Sequence, residues 1–327
     1  MTYSAGSRFD FDDPIWDQRT YIGRFKYFAW ITDPRLCFVG DKCLDQAKNL
    51  RTLYLQNREP PGTTHDQLLY AKKLYDSAFH PDTGDKMNLF GRMSFQMPGG
   101  MIITGAMLSW YRTVPALVFW QWVNQSFNAF VNYTNRNAKS PLTVKQLGAA
   151  YLTATSAACI TAMGLKNYLI KRTGPLLQRY VPFAAVAAAN CVNIPLMRQN
   201  EIINGVDVFD ENDKKVGESR VAAVKGISQV IFSRILMCAP GMTLLPIVME
   251  RLEQNCWFRT NQWFHAPFQT MACGGFLLFM VPAACGVFPQ RCALKTSTIK
   301  RLEEERYNEM VKANKHVPEI VYFNKGL

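Results

Sequence analysis

The sequence predicts an all-α membrane protein with about five transmembrane helices, some of them broken or re-entrant, preceded by a small soluble helical N-terminal region. Of the 327 residues, 48% are hydrophobic and 13% are aromatic. Several long runs carry no charge, and residues 260–290 contain no Asp, Glu, Lys or Arg, whereas one helical span needs about 20 apolar residues. Charged residues are about twice as dense in residues 1–97 as in residues 98–290, so the mean hydropathy of −0.09 averages a polar part and an apolar part.

This uneven charge divides the chain into three predicted parts. Residues 1–97 form the soluble helical head, residues 98–290 the transmembrane domain, and residues 291–327 a C-terminal tail. The net charge of +12 belongs mostly to the second and third parts and suits contact with anionic lipid. Basic blocks interleaved with aromatic residues are absent from the sequence, so a nucleic-acid partner is not expected.

The head is predicted to contain helices separated by turns. Asp33 followed by Pro34 is a typical helix start, because Asp caps the helix and Pro suits its first position. Asp41 opens a second helix, and the break at 59–62 leads to a third that Thr63 or Thr64 can cap.

A short polar segment, HPDTGDK, lies at residues 80–86, between the predicted helices of the head and the transmembrane domain. Its His80, Asp82 and Asp85 could form a small iron or magnesium site. A Pro/Gly turn whose polar side chains satisfy backbone donors is the favoured interpretation, because three ligands within six residues are a weak metal signal. Neither a metal site nor a cofactor is therefore predicted.

The first apolar block covers residues 98–122 and is interrupted by Arg112 and Pro115. One interpretation ends a short span near Tyr111 and starts a re-entrant helix at Pro115. The other is a single kinked span that keeps Arg112 facing inward, because a charge at the centre of a span costs about 2.5–3.5 kcal/mol on insertion scales.

Carboxamide side chains follow this block at intervals of three or four residues, which places them on one helix face. They are Gln121, Asn124, Gln125, Asn128 and Asn132. Such a stripe can line a hydrophilic path for a zwitterion, or it can join helices as a polar zipper. Both functions give buried amides their partners, so both interpretations stay open.

The uncharged stretch from Tyr180 to Met197 carries the most specific site prediction. Pro195 cannot donate a hydrogen bond to the carbonyl of Cys191, so we expect a broken helix there, with Asn190 and Asn193 beside the gap. A broken helix offers free N–H and C=O groups to a solute in the middle of the membrane. The alternative is that both asparagines cap the break and bind neighbouring helices.

The remaining spans are predicted at 148–165, 226–249 and 260–290. In the second of these, Gln229 is a candidate solute contact, Arg234 is expected to face inward with Arg112, and Ala239-Pro240-Gly241 is expected to break the helix. Between spans, NDKKVG predicts a hairpin turn. Five spans place the head and the tail on opposite sides of the membrane, and the tail is expected to hold a short exposed helix around 301–306.

Several long strings of the sequence resemble the sideroflexin family over essentially the entire chain. They are WDQRTYIGR, ITDPR, YDSAFHPDTGDK, WQWVNQSFNAFVNYTNR, PFAAVAAANCVNIPLMRQ, RILMCAPGM and VYFNKGL. Two further strings, FQMPGGMIITG and TLLPIVMERLE, look closest to one vertebrate paralogue. The resemblance implies a multi-pass carrier of the mitochondrial inner membrane that moves serine and other small neutral amino acids. It also implies a link to one-carbon, iron and haem metabolism, but it assigns no substrate-binding residue.

Two functions are therefore compared. The first is a mitochondrial serine carrier whose partners are its solute and membrane lipids, with a site formed by Asn190, Asn193, Pro195, Gln229, Arg234, Gln121, Asn124 and Asn128. The second is a non-transporting assembly or scaffold protein that affects iron and haem metabolism through protein partners. An enzyme is not expected, because the sequence has no paired-carboxylate, Ser/His/Asp or phosphate-loop pattern.

Overall fold

The computed structural model describes residues 8–11, 13–80, 83–110, 112–134, 143–170, 179–314 and 317–326. Most of them are helical. The described α-helices, numbered in chain order, are α1 (Tyr21–Ile31), α2 (Asp41–Leu55), α3 (His65–Ala78), α4 (Gln96–Ser109), α5 (Val114–Thr134), α6 (Val144–Ile170), α7 (Val181–Met197), α8 (Gln199–Asn204), α9 (Arg220–Leu252), α10 (Cys256–Thr260), α11 (His265–Gly286), α12 (Thr296–Leu302) and α13 (Glu304–Ala313). A helical membrane-type protein, as predicted, fits this content.

The helices of the N-terminal region begin where the sequence predicted. Thr64 forms a capping box with Gln67 at the start of α3, which satisfies two otherwise free backbone donors. At the predicted start beside Pro34, the Asp33 side chain accepts from the Arg35 N–H, but only a short 3-10 helix follows. Helices α2 and α3 pack on a core that includes Leu44 and is shared with the segment before α1.

Six helices run back and forth through one bundle, and side-chain contacts fix their directions. The Asn88 amide donates to Thr134 Oγ1 at 2.9 Å, so α5 ends beside the residues that precede α4. The Lys166 ammonium donates to the Arg112 carbonyl, so the later part of α6 lies at the α4–α5 turn. The Gln146 amide donates to Asn200 Oδ1 at 3.2 Å, so the start of α6 lies beside the end of α7.

The remaining two helices continue this alternation. Arg179, just before α7, forms an ion pair with Glu253 at the end of α9. The Lys225 ammonium, near the start of α9, donates to the Ala293 carbonyl at 2.7 Å, close to where the chain leaves α11. Helices α4, α5, α6, α7, α9 and α11 therefore form an antiparallel bundle. Three of the described helices are long and apolar enough to cross a membrane, namely those covering 145–168, 220–252 and 262–286.

Alternation over six helices places the head and the tail at the same end of the bundle, whereas the prediction of five spans placed them on opposite sides of the membrane. The Arg24 guanidinium in α1 donates to the Gly286 carbonyl at 2.7 Å, and the tail begins directly after α11. The amide-rich helix α5, which was left open as a re-entrant segment, runs along the length of the bundle. Its amides lower its hydropathy, which is why the sequence pattern left it open as a span.

This geometry predicts that both ends of the chain are reached from the same compartment. Epitope tags at the two termini should be digested together or protected together when protease is added to sealed membranes. A third tag inserted after Gln254, at the opposite end of the bundle, should show the reverse accessibility. Opposite accessibility of the two terminal tags would contradict the arrangement.

Four short strands form a sheet that the sequence analysis did not predict. The strands are β1 (Val206–Phe209), β2 (Lys215–Ser219), β3 (Arg291–Lys295) and β4 (Ile320–Asn324), in the order β2-β1-β4-β3 with antiparallel neighbours. The predicted hairpin turn at NDKKVG is confirmed, with Asp213 at a φ of 58°. The tail is thus more than the short exposed helix expected, because β3 and β4 join it to the hairpin through a buried core.

Glu303 of the tail binds the start of α9. Its carboxylate accepts from Ser219 Oγ at 2.7 Å and from the Arg220 N–H at 2.9 Å. A carboxylate is favourable at a helix N-terminus because it accepts from free N–H groups and complements the helix dipole. This contact fixes the tail to the bundle at the end where α1 also lies.

Two predicted helix breaks are wrong. Helix α7 continues through Pro195, and α9 continues through Pro240 and Pro246. The helical backbone ends at Arg198, which separates α7 from α8. A proline removes one backbone hydrogen bond, but close packing against neighbouring helices can keep the chain helical.

Candidate functional site

Two amides of the predicted stripe on α5 lie inside the bundle. Gln121 and Gln125 are buried and one turn apart, so they share a face, while Asn124 and Asn128 beside them are half-buried. The side chain of Asn132 lies outside the described residues. The predicted stripe is therefore an amide face that is buried at Gln121 and Gln125 and half-buried at Asn124 and Asn128.

Gln121 is the most unusual of these residues. It is 0% exposed, and neither its Nε2 nor its Oε1 has a hydrogen-bond partner among the residues that the structure describes. Asn124 Nδ2 is in the same situation. Burying a polar group without a partner costs about 1–3 kcal/mol, and the group regains this energy when water or a solute supplies the missing bond.

A third buried amide, Asn193, lies on α7 at the depth of Gln125. Leu117 of α5 and Ala185 of α7 belong to one buried cluster, and the two helices run in the same direction. Gln125 and Asn193 each follow their cluster residue by eight positions, which is about 12 Å along a helix. Asn193 is buried, and its Oδ1 has no partner within the described part of the chain.

Helix α9 contributes a hydroxyl close to the same depth. Ile194 packs with Ile227 and Val230, and α9 runs opposite to α7. Ser233, one turn beyond Val230, therefore lies about level with Asn190. Ser233 Oγ is buried and unpartnered in the described structure, while Asn190 is half-buried.

These side chains form what we call the amide layer, namely Gln121, Asn124, Gln125, Asn190, Asn193 and Ser233. The layer carries donors and acceptors but no charge, because an amide offers both an NH₂ group and a carbonyl oxygen. It can hold a polar, electrically neutral solute without burying an unpaired ion. Its residues lie on α5, α7 and α9, and α7 packs against both of the other helices.

A polar cavity of about 460 Å³ opens at the end of the bundle opposite the sheet. We call it the vestibule, and it is lined by Leu108, Ser109, Trp110, Arg112, Arg179, Pro246, Met249, Glu253, Arg259, Gln262, His265, Ala266 and Gln269. Ser109 Oγ donates to Gln269 Oε1 at 2.8 Å across it. Trp110, which lines the vestibule, stacks on Trp120 of α5 with ring centroids 5.5 Å apart.

The opposite end of α7 is covered by the C-terminal tail. The Arg198 guanidinium donates to the Lys325 carbonyl at 2.8 Å and pairs with Glu201. The Lys325 side chain is 2% exposed, its ammonium donates to the Phe288 carbonyl, and burial lowers its pKa. The bundle is thus open at the vestibule and covered where α7 ends.

Several predicted site residues lie elsewhere. Gln229 accepts a hydrogen bond from the Cys292 thiol and faces the sheet, and Pro195 leaves α7 unbroken. The prediction that both arginines face inward is wrong for Arg112, which is exposed in the α4–α5 turn because the chain reverses there. Arg234 is half-buried, and its side chain has no hydrogen bond to Gln229 among the described residues.

Two of the candidate metal ligands of the head, His80 and Asp85, lie in a tight turn. His80 donates its N–H to the Asp85 carbonyl, and its own carbonyl accepts from the Gly84 N–H at 2.9 Å. The Thr83 hydroxyl accepts from the Asp85 N–H. These bonds agree with the turn interpretation, while Asp82 lies outside the described residues.

Sequence reasoning missed the vestibule and Ser233. Arg179 and Glu253 are 74 positions apart, and charges at the ends of apolar runs are ordinary features of loops. The one available signal was the placement of both residues directly beside long apolar segments. Their proximity depends on how α7 and α9 pack.

Comparison with known proteins gives a consistent result. A family model described as "Sideroflexins" matches residues 10–327. The chain is 58% identical to Sideroflexin-2 of Homo sapiens over 322 residues, which cover 98% of each protein. It is 56% identical to Sideroflexin-2 of Drosophila melanogaster over 319 residues, 97% of this chain and 98% of the relative.

A second group of relatives is less similar. Sideroflexin-1 of Ovis aries is 50% identical over 317 residues, 96% of each protein. The higher identity to the Sideroflexin-2 relatives agrees with the paralogue that FQMPGGMIITG and TLLPIVMERLE indicated. No solved structure matches the chain.

Proposed function

Because this chain belongs to the sideroflexin family, we propose that it is a multi-pass transporter of the mitochondrial inner membrane that carries serine and other small neutral amino acids. Its transport supplies one-carbon metabolism and through it affects iron and haem homeostasis. The observation that supports this proposal best is the amide layer, in which buried amides lack protein partners within the described structure.

The chemistry of the layer suits a neutral amino acid. Serine carries a carboxylate that needs donors, an ammonium group that needs acceptors, and a hydroxyl group that needs either. Amide NH₂ groups, amide carbonyls and the Ser233 hydroxyl supply all of these. Because the solute is zwitterionic and neutral overall, the layer needs no net charge to match it.

The alternative is a non-transporting membrane scaffold that affects iron and haem metabolism through partners. One contact favours it: Ser126 Oγ and the Tyr151 hydroxyl lie 2.8 Å apart and join α5 to α6. Polar groups on α5 can therefore hold helices together as well as bind a solute. In a transporter the unpartnered amides bind the solute, whereas in a scaffold they hold helices together.

Reconstitution into liposomes separates the two functions. We expect saturable serine uptake, and we expect Asn193→Ala to raise the KM for serine about tenfold, since one hydrogen bond to a charged group is worth about 1.5–3 kcal/mol. The Tm should change little, because Asn193 Oδ1 has no protein partner to lose among the described residues.

Ser126→Ala is the matched control on a neighbouring polar position. It removes the contact with Tyr151, so it should lower the Tm and leave the KM unchanged. If folded wild-type protein shows no serine uptake, the scaffold function is supported. If Asn193→Ala keeps the wild-type KM, the solute does not bind at Asn193.

A further inference from the structure

The vestibule contains an ion pair that faces the cavity. Arg179 lies in the turn before α7, and Glu253 follows the last residue of α9. Arg179 Nη2 is 2.6 Å from Glu253 Oε2, and the side chains are 16% and 28% exposed. Both residues line the cavity, so a solute in the vestibule can reach the two charged groups together.

The charge around this pair favours a carboxylate. The described lining of the vestibule contains three arginines, Arg112, Arg179 and Arg259, and one glutamate, Glu253. The excess of positive charge in a recessed cavity attracts anions and raises their local concentration. Glu253 remains the single carboxylate in this lining that can accept from an ammonium group.

We propose that the Arg179–Glu253 pair is the first binding site for the zwitterionic backbone of a free α-amino acid, an inference that rests on the proposed transport function. Arg179 binds the α-carboxylate of the solute and Glu253 binds its α-ammonium group. The bound solute then lies beside Trp110, which lines the vestibule and whose ring stacks on Trp120 of α5.

Binding in this way leaves no charge unpaired. The protein exchanges its own Arg–Glu contact for one contact with each charge of the solute, so each group keeps an opposite partner throughout. An amine without a carboxylate, such as ethanolamine, leaves Arg179 without a new partner. A hydroxy acid without an amine, such as lactate, leaves Glu253 without one. Removing one partner of a desolvated charge pair is costly, so the site selects solutes that carry both charges.

Equilibrium binding to the purified full-length protein in detergent tests the assignment. Titration followed by tryptophan fluorescence reports on the vestibule, because Trp110 lines it. Serine should bind at least tenfold more tightly than ethanolamine or lactate. Arg179→Gln and Glu253→Gln should each weaken serine binding about tenfold or more, because each removes a charge-assisted hydrogen bond. Arg251→Gln, an exposed arginine outside the vestibule lining, should leave the Kd unchanged.

Uptake in liposomes keeps failure of this site distinct from failure of transport. If wild-type protein transports serine and Arg179→Gln keeps the wild-type Kd and KM, the vestibule site is refuted while the transport function stands. If wild-type protein binds serine through Arg179 but transports none, the site stands and the transport function fails.

Two further outcomes also overturn the site. If both variants lower the Tm while serine affinity stays constant, the ion pair is only structural. If Arg179→Gln loses co-purified anionic phospholipid and serine binding is unaffected, the cavity holds a lipid phosphate.

Arg179→Lys keeps the charge and replaces Arg179→Gln as the test variant if the glutamine variant does not fold. In that case Arg179→Lys should weaken serine binding severalfold, because lysine cannot bind a carboxylate with two parallel hydrogen bonds.

Discussion

Replacing Gln121 by leucine is expected to stabilise the protein and to reduce serine uptake at least tenfold. Gln121 is fully buried, and both polar atoms of its amide lack partners in the described structure. Leucine fills a similar space without a polar group, so the free energy of unfolding should rise by about 1–3 kcal/mol. Under the proposed transport function, uptake should fall because the amide layer loses a donor and an acceptor for the solute.

The opposite signs of the two effects make this prediction specific. Thermal unfolding in detergent measures the first effect, and initial uptake rates in liposomes measure the second. Gln146→Leu is the matched control, because Gln146 donates to Asn200, and its loss should lower the Tm with little effect on uptake. A joint loss of stability and uptake in Gln121→Leu would show that Gln121 joins helices and does not bind the solute.

Replacing Arg24 by alanine is expected to cause the largest loss of stability, about 3–5 kcal/mol. The guanidinium is buried and donates to the carbonyls of Gly286, Gln18 and Arg19 at 2.7, 2.9 and 2.9 Å. Hydrogen bonds from a charged donor are each worth about 1.5–3 kcal/mol, and the substitution removes the donor from the buried Gly286 carbonyl and from two partly buried carbonyls. Helix α1 would also lose its main polar connection to the end of α11.

Denaturant unfolding of the purified protein measures this loss. Lys26→Ala, an exposed cation two residues further along α1, is the control and should change the free energy of unfolding by less than about 0.5 kcal/mol. A cost below about 1 kcal/mol for Arg24→Ala would mean that α1 does not depend on this contact, and the placement of α1 at the end of α11 would then be in doubt.

The sequence by itself determined the features that depend on neighbouring residues. Thr64 and Gln67 stand three positions apart and form the capping box wherever the helix lies. The amides of α5 share a face because their spacing follows the helical repeat, and NDKKVG forms its turn from local backbone preferences. The family resemblance rested on strings spread along the whole chain, and the match to residues 10–327 confirms it.

Only the tertiary structure decided which distant segments meet. Strand β4 pairs with β1 through Phe209 and Tyr322, and no local pattern specifies a partner that is more than a hundred positions away. The same limit applies to Arg179 with Glu253 and to the shared depth of Gln125 and Asn193. It also explains why the prolines were misjudged, because packing against neighbours kept α7 and α9 helical where the isolated segments predicted breaks. Local spacing fixes the face of a helix on which a side chain lies, whereas burial between packed helices decides which side chains form a site.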